Sequence, residues 1–375
     1  MNKTSGIYIH IPFCLKKCFY CDFYSITKYN KKIIFKFIKS LKNEIFLRKT
    51  EYKGKVDSIY FGGGTPSILQ PDFFAEIISI LKDSFDIKDD TEITTELNPE
   101  DVSEEFIQEL KGSGINRVSL GIQTLSDDTL NLINRRHTSR KAKKSAEICV
   151  NFFSNTSFDL MLGLPLRSKK KLTEEIKILT DYNPSHLSIY SLHLSEHSPL
   201  LKILKDKKLK LPDTTDEYLT TVELLDKLGF KQYEISNWAK EGKRCIHNLH
   251  YWNLDPFLGF GPSASGTLYN IRKTNTPDLL SYIQNLTKFT LPSHQIEVLS
   301  KEQQKNEYIM MRLRLTDGVV FSEYHKKTGF NFLEEFKEKI SEFTELGYGR
   351  IKKNSFSLTT KGFLVSNYII SSFFN

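Results

Sequence analysis

No run of apolar residues in this sequence is long enough to cross a bilayer, which takes about twenty in succession. The stretch Ile7 to Phe13 is too short even for a signal-peptide core, and Phe363 to Phe374 is broken by Ser366, Asn367, Ser371 and Ser372. Low-complexity tracts are missing too: with no Gly/Ser, Pro or Gln/Asn run, nothing in the composition calls for a disordered linker. Cysteine is sparse, five in 375 residues, and three of the five crowd within eight positions. That distribution makes no disulfide framework; in a reducing compartment it favours metal. These absences point to a globular, cytoplasmic protein.

The length and a 39% hydrophobic content allow one barrel-sized domain and a smaller one. The net charge of +8 comes mainly from lysines on exposed-looking helix positions, as in Lys169-Lys170-Lys171. A solvated surface accounts for them. So does attraction to anions such as phosphates, porphyrin carboxylates or the acidic face of an inner membrane that the protein touches peripherally.

Apolar runs rich in β-branched and aromatic residues predict strands at Ile7–Ile11, Val56–Phe61, Glu92–Leu97, Arg117–Gly121, Phe158–Leu162 and His186–Leu192. Helical periodicity fills the gaps at Lys31–Arg48, Pro71–Ser84, Glu104–Lys111, Ser126–Asn151 in two pieces, Lys170–Thr180 and Thr215–Leu228, the last closed by Gly229. Six alternations predict an α/β fold with parallel strands, a partial (βα)6 barrel in residues 1–229. The Cys triplet, Gly62-Gly63-Gly64-Thr65, Glu96, Gln123, Asp159 and His193 all fall at strand carboxyl ends, the active-site face of such barrels. Residues 230–295 are expected to close the barrel. From 296 to 375, three helical patterns, a short hairpin and a last helix predict a C-terminal α+β, winged-helix-like domain. No aromatic-interleaved basic patch accompanies it, so nucleic acid is not an expected partner.

Cys14-Leu-Lys-Lys-Cys18-Phe-Tyr-Cys21 places three thiols on the loop leaving the first strand. A 4Fe-4S cubane held by three thiolates keeps one iron open, and that iron can take the amino and carboxylate groups of S-adenosylmethionine (SAM). Structural zinc is the competing reading, but it wants four tight ligands and no fourth stands nearby.

The segment Tyr8-Ile-His-Ile-Pro-Phe-Cys14 through Cys21-Asp-Phe23 resembles the opening of radical-SAM proteins of the oxygen-independent coproporphyrinogen III dehydrogenase group, and the likeness runs through most of the chain. The dehydrogenases carry a further Cys two residues after the third ligand and a substantial segment before the first strand. Here Phe23 holds that position and the first strand begins almost at once, which points to the haem-chaperone branch. The resemblance implies that Cys14, Cys18 and Cys21 hold the cluster. It also implies SAM contacts from Gly63, Gly64 and Thr65 after the second strand, and from Glu96, Gln123, Arg135 and Asp159. Carboxylates and an amide suit ribose hydroxyls or an ammonium, and Arg offers a fork to a carboxylate. Tyr8 and Tyr20 flank the cluster and shield it, touch the ligand or simply pack.

A second constellation, His247-Asn248-Leu-His-Tyr251-Trp252, precedes the Gly-rich stretch Gly259 to Gly266. Its His-Asn-x-x-Tyr pattern resembles the element that the haem-chaperone branch uses for haem, making His247, Asn248 and Tyr251 the haem-binding candidates. A buried loop braced by His247 and Asn248 is the structural alternative, and Cys245 and His250 are further candidate iron ligands. Two functions follow from the resemblance. One is a haem chaperone that binds haem and passes it to recipient haemoproteins, membrane-bound respiratory enzymes among them, and that admits a homodimer. The other is radical decarboxylation of coproporphyrinogen III.

Overall fold

The structure, a computed structural model, describes residues 4–374; the outermost limits of the sequence-based division, 1 and 375, lie outside them. Six strands alternate with helices: β1 (Ser5–Ile11), β2 (Val56–Gly63), β3 (Ile87–Leu97), β4 (Arg117–Gln123), β5 (Thr156–Leu162) and β6 (His186–Ser191). Each pairs in parallel with the next, as the alternation predicts. Most of the helices that follow these strands are capped by a side chain, with Asn30, Ser103, Ser126, Thr138, Ser168 and Asp213 each accepting from a first-turn backbone N–H.

Two additions extend this sheet at both edges. Beyond β6 lie β7 (Lys231–Glu234) and β8 (Asn237–Ala239), antiparallel, in the order β6-β8-β7. Beyond β1 lie β9 (Phe257–Phe260), β10 (Ser265–Leu268), β11 (Ile271–Asn275) and β12 (Ser293–Val298). Strand β9 is parallel to β1, a seventh parallel strand where the sequence predicts six. The Gly-rich stretch is therefore not all loop. A Cβ on Gly259 would lie 2.1 Å from Ser265 O, so only glycine lets β9 and β10 approach this closely.

The two faces of the parallel strands differ. Ile7, Ile9 and Ile11 of β1, Ile59 and Phe61 of β2, and Val118, Leu120 and Ile122 of β4 are fully buried in the main apolar core. Alternate positions are polar: Tyr8 and His10, Ser58 and Tyr60, Glu92, Thr94 and Glu96, Arg117, Ser119 and Gln123, Ser157 and Asp159. A (βα) barrel ordinarily fills its interior with branched aliphatics. Here the inner face is lined instead for polar contact, and it leaves room for a cavity.

Residues after 300 form helices around a small sheet of β13 (Val319–Val320), β14 (Gly349–Lys352) and β15 (Ser355–Leu358), in the order β13-β15-β14. Phe332, Phe336, Phe343, Phe356 and Phe373 fill its centre, with Phe332 and Phe373 stacked at 5.9 Å. No helix of the described residues is long and apolar enough to cross a membrane.

Candidate cluster and cofactor site

The loop between β1 and the first long helix is tied down at several points. Cys14 N donates to Ile26 O and Ile26 N to Pro12 O, which folds the loop back on its own root. Asn134 Nδ2 donates to Lys17 O at 2.8 Å, Ser195 Oγ to Asp22 Oδ1 at 3.0 Å and Ser198 Oγ to Phe19 O at 2.8 Å. Segments following β4 and β6 thus hold the cysteine loop over the carboxyl ends of the strands.

All three cysteines line one cavity of about 690 Å³. Thr65 Oγ1 donates to Cys14 Sγ at 3.4 Å and Arg135 Nη1 to Cys18 Sγ at 3.6 Å, so two of the three sulfurs already have a donor beside them. Burial raises the Cys21 thiol above its ordinary value, and Cys18 and Cys14 add to the rise, so the three sulfurs feel one another. Even so, no three His, Cys, Asp or Glu among the described residues converge as ligands of a single ion. Cubane thiolates bind different irons, so close convergence is not required of them, whereas a mononuclear zinc site does require it. The donor set fits an iron–sulfur cluster.

The same cavity gathers Gly63, Gly64, Thr65, Glu96, Gln123, Arg135 and Asp159, together with Tyr20 and His193. Gly63 has φ +111°, and a Cβ there would lie 2.6 Å from the His10 ring, so the residue type is dictated by the backbone. Gln123 has φ +69°, uncommon for a residue with a Cβ, and follows a register shift between Gly121 and Gln123. The bulge turns its amide to accept from Tyr190 OH at 2.8 Å on the cavity wall. Such strain is kept where a side chain must be aimed.

Two carboxylates dominate the electrostatics. Burial pushes Glu96 up to about 7, Asp159 adding to the rise and the Tyr60 hydroxyl at 2.9 Å opposing it. Asp159, half-buried like Glu96, is pushed up to about 6 by desolvation despite bonds from Ser119 and the charge of Arg117. A desolvated acid pair without a full counter-cation is what a positively charged ligand would relieve. SAM carries an ammonium and a sulfonium, and Arg135 lies in the same cavity for its carboxylate, so these residues fit it.

A second cavity of about 280 Å³ adjoins the first, sharing Phe23, Tyr60, Gly63, Glu96 and Asn248, and adds Tyr8, His247 and Tyr251. Every residue that the resemblance assigns to the cluster, SAM or haem therefore lines one cavity or the other, whereas Cys245 and His250 line neither. His247, however, is only 1% exposed. Its Nδ1 bonds Ser58 Oγ at 2.9 Å, its Nε2 bonds Tyr251 OH at 2.7 Å, and Tyr60 stacks on it at 5.1 Å. Burial holds it well below the usual imidazole range, and nearby His250 and Arg117 hold it lower still, so the ring is neutral. A Cβ on Gly6 would lie 2.9 Å from His247 Nδ1, so β1 carries a glycine where the ring rests.

The helix bearing it, Ile246–Asn253, is fixed at its start by Glu92 of β3, which accepts from Ile246 N and His247 N, both at 3.2 Å. Cys245 Sγ donates to the same carboxylate, and burial pushes that thiol up to about 12, the property of an inert thiol. His250 bonds Asp57 Oδ1 at 2.6 Å with Asp255 near its other nitrogen, and these carboxylates outweigh burial to raise it to about 9. Both alternative iron ligands are thus engaged structurally.

Sequence reasoning missed Tyr60, Asn98, Ser119, Tyr190, Glu234 and Arg314, all cavity residues. Tyr60, Ser119 and Tyr190 share the polar inner face with their strand neighbours, a period-2 signal present in the sequence. Arg314 has no such signal.

A model of the radical SAM superfamily matches residues 8–179, and one of the HemN C-terminal domain matches 299–365. A heme chaperone HemW of Buchnera aphidicola (subsp. Schizaphis graminum) is 34% identical over 98% of both chains. The chain belongs to the heme chaperone HemW family of the radical SAM superfamily. A Bacillus subtilis member is 32% identical, again over 98% of each chain. Among solved structures, coproporphyrinogen III oxidase (HemN) from Escherichia coli superposes with a TM-score of 0.85 over 99% of this chain and 90% of its own, at 22% identity. That likeness fixes the fold: the partial barrel and its C-terminal domain are those of HemN.

Proposed function

We propose that this protein is a haem chaperone: it holds a 4Fe-4S cluster on Cys14, Cys18 and Cys21, binds SAM beside it, accepts haem and passes it to haemoproteins. The observation that carries the reading is the pair of joined cavities. Glu96 and Asn248 line both, so the wall that faces SAM continues into the wall that carries His247 and Tyr251. When bound, the cluster supplies an open iron and an electron. The chain's own residues do the rest. Arg135 and Thr65 orient the thiolates, Glu96 and Asp159 receive positive charge, and Asn248 and Trp252 present a polar edge and an apolar face to the larger cavity.

Haem ligation by His247 requires its bond to Tyr251 to open, because both ring nitrogens are otherwise occupied. Phe23, 70% exposed and lining both cavities, stands where the dehydrogenases of this group carry a further cysteine, and it gives an incoming porphyrin an apolar contact. The test is anaerobic. The reconstituted protein is expected to bind haem, transfer it to an apo-haemoprotein, and make no protoporphyrinogen from coproporphyrinogen with SAM and a reductant. Turnover to protoporphyrinogen would replace this reading with the decarboxylase.

A further inference from the structure

The C-terminal part of the chain reaches the large cavity through Arg314. The helix Lys301–Arg312 ends just before it, and the chain then runs alongside β7: Ile235 N donates to Arg314 O at 3.0 Å, Thr316 N donates to Tyr233 O at 3.0 Å, and Glu234 forms a bridge with Leu315. These bonds fix the Arg314 backbone to the sheet edge, while its side chain lines the cavity near Glu234, Ser236 and Asn237.

The guanidinium is half-buried and poorly satisfied. One amino group donates to Asn367 Oδ1 at 3.0 Å, and Nε is buried with no hydrogen-bond partner. Among the described residues no carboxylate stands within ion-pair distance of it. The neighbouring acid is Glu234, but its oxygens already accept from Ser236 N and Asn237 Nδ2, and burial pushes it up to about 7. At neutral pH it carries only part of a negative charge, which the nearby Arg314 charge works to increase, and it makes no direct bond to the guanidinium.

The other two arginines of the cavity have partners of their own, and Arg135 is already placed for the SAM carboxylate. Arg135 donates to Cys18 Sγ, Asn98 Oδ1 and Gly121 O, and Arg136 stands 3.4 Å from Glu100 Oε1. Arg314 is thus a planar donor fork on a cavity wall, without the carboxylate such forks are suited to.

We propose that Arg314 binds a carboxylate of the ligand in this cavity and, resting on the haem reading above, that the carboxylate is a haem propionate. Propionates are the acidic groups on an otherwise apolar macrocycle, so one fork at the wall sets which edge of the ring enters first. The site is then built from two parts of the chain, sheet and C-terminal segment, and the latter acts as a binding element.

The experiment uses the full-length, anaerobically reconstituted protein, titrated with haem and with haem dimethyl ester and followed by absorbance. Wild type is expected to favour the free acid by about tenfold, the worth of a charge-assisted pair. Arg314→Gln should bind both forms at the ester's affinity while keeping its iron content and its spectral response to SAM, and Arg314→Lys should fall between. Equal binding of acid and ester by wild type overturns the proposal whether or not the Gln variant folds, and so does an Arg314→Gln protein that still discriminates. A variant that loses SAM and keeps haem discrimination overturns it too, since the carboxylate would then be the methionine's. A wild type that binds neither porphyrin overturns the haem reading itself, and the propionate assignment falls with it.

Discussion

The two ends of the polar interior are built on opposite plans. At the carboxyl ends of the strands Cys18 and Cys21 are half-buried, Leu15 and Phe23 are exposed, and sulfurs, carboxylates and Arg135 face open volume. Toward the amino ends Cys245, His247, Glu92 and Arg117 are buried against one another. Polar groups in both places must be satisfied. In one place a ligand is left to do it, and in the other the protein does most of it, only Arg117 Nε among these groups lacking a hydrogen bond. The lesson concerns His247: residue type and motif make it a candidate ligand, while its surroundings mark it as a locked position that would have to be released first.

The largest expected effect separates the two ends outright. Cys18→Ser should abolish the broad iron–sulfur absorption, and Cys245→Ser should leave it intact. Full iron content in the first variant, or its loss in the second, would erase the distinction.

The next effect probes how firmly the closed end is held. The folded pKa of His250, about 9, lies above its ordinary 6.5. A raised imidazole contributes stability that is fully present below pH 6.5 and is lost as pH rises through 9, a difference of up to about 3 kcal/mol. Denaturant midpoints should therefore fall between pH 6.5 and 9, and His250→Gln should flatten that slope. A wild-type curve no steeper than the variant's would mean that the Asp57 clamp is not holding the helix.

The smallest effect sharpens the same point. Tyr251→Phe frees Nε2 of His247 from a bond worth about 1 kcal/mol, so haem should bind about fivefold tighter if His247 ligates iron. His247→Ala should weaken binding and shift the spectrum. Loss of binding in Tyr251→Phe instead would make the tyrosine the ligand, and unchanged spectra in His247→Ala would clear the histidine of any role.

Much of this plan was legible in the sequence. The first six strands announce themselves through β-branched runs such as Ile7-Tyr-Ile-His-Ile11, and the cysteine loop through spacing alone. Strand β9, Phe-Leu-Gly-Phe, escaped because it is short and contains the glycine its neighbour demands. The helix Ile246–Asn253 carries His, Asn, Tyr and Trp with no apolar stripe, since Glu92 from a distant strand caps it and the barrel interior receives it. Gly6 reads as an unremarkable strand residue until His247 is seen resting on it. Arg314 had no local signal at all, because what sets it apart is its place on a cavity wall with a buried Nε left unbonded, both products of the tertiary fold.

Strand β1 passes beneath the His247 ring at Gly6 and, within a few residues, becomes the root of Cys14. Interiors this closely packed carry strain rather than soak it up. Lifting that ring and reshaping the sulfur loop are thus pulls on the two ends of one taut cord, so loss of iron at one end should change how readily the imidazole at the other swings free.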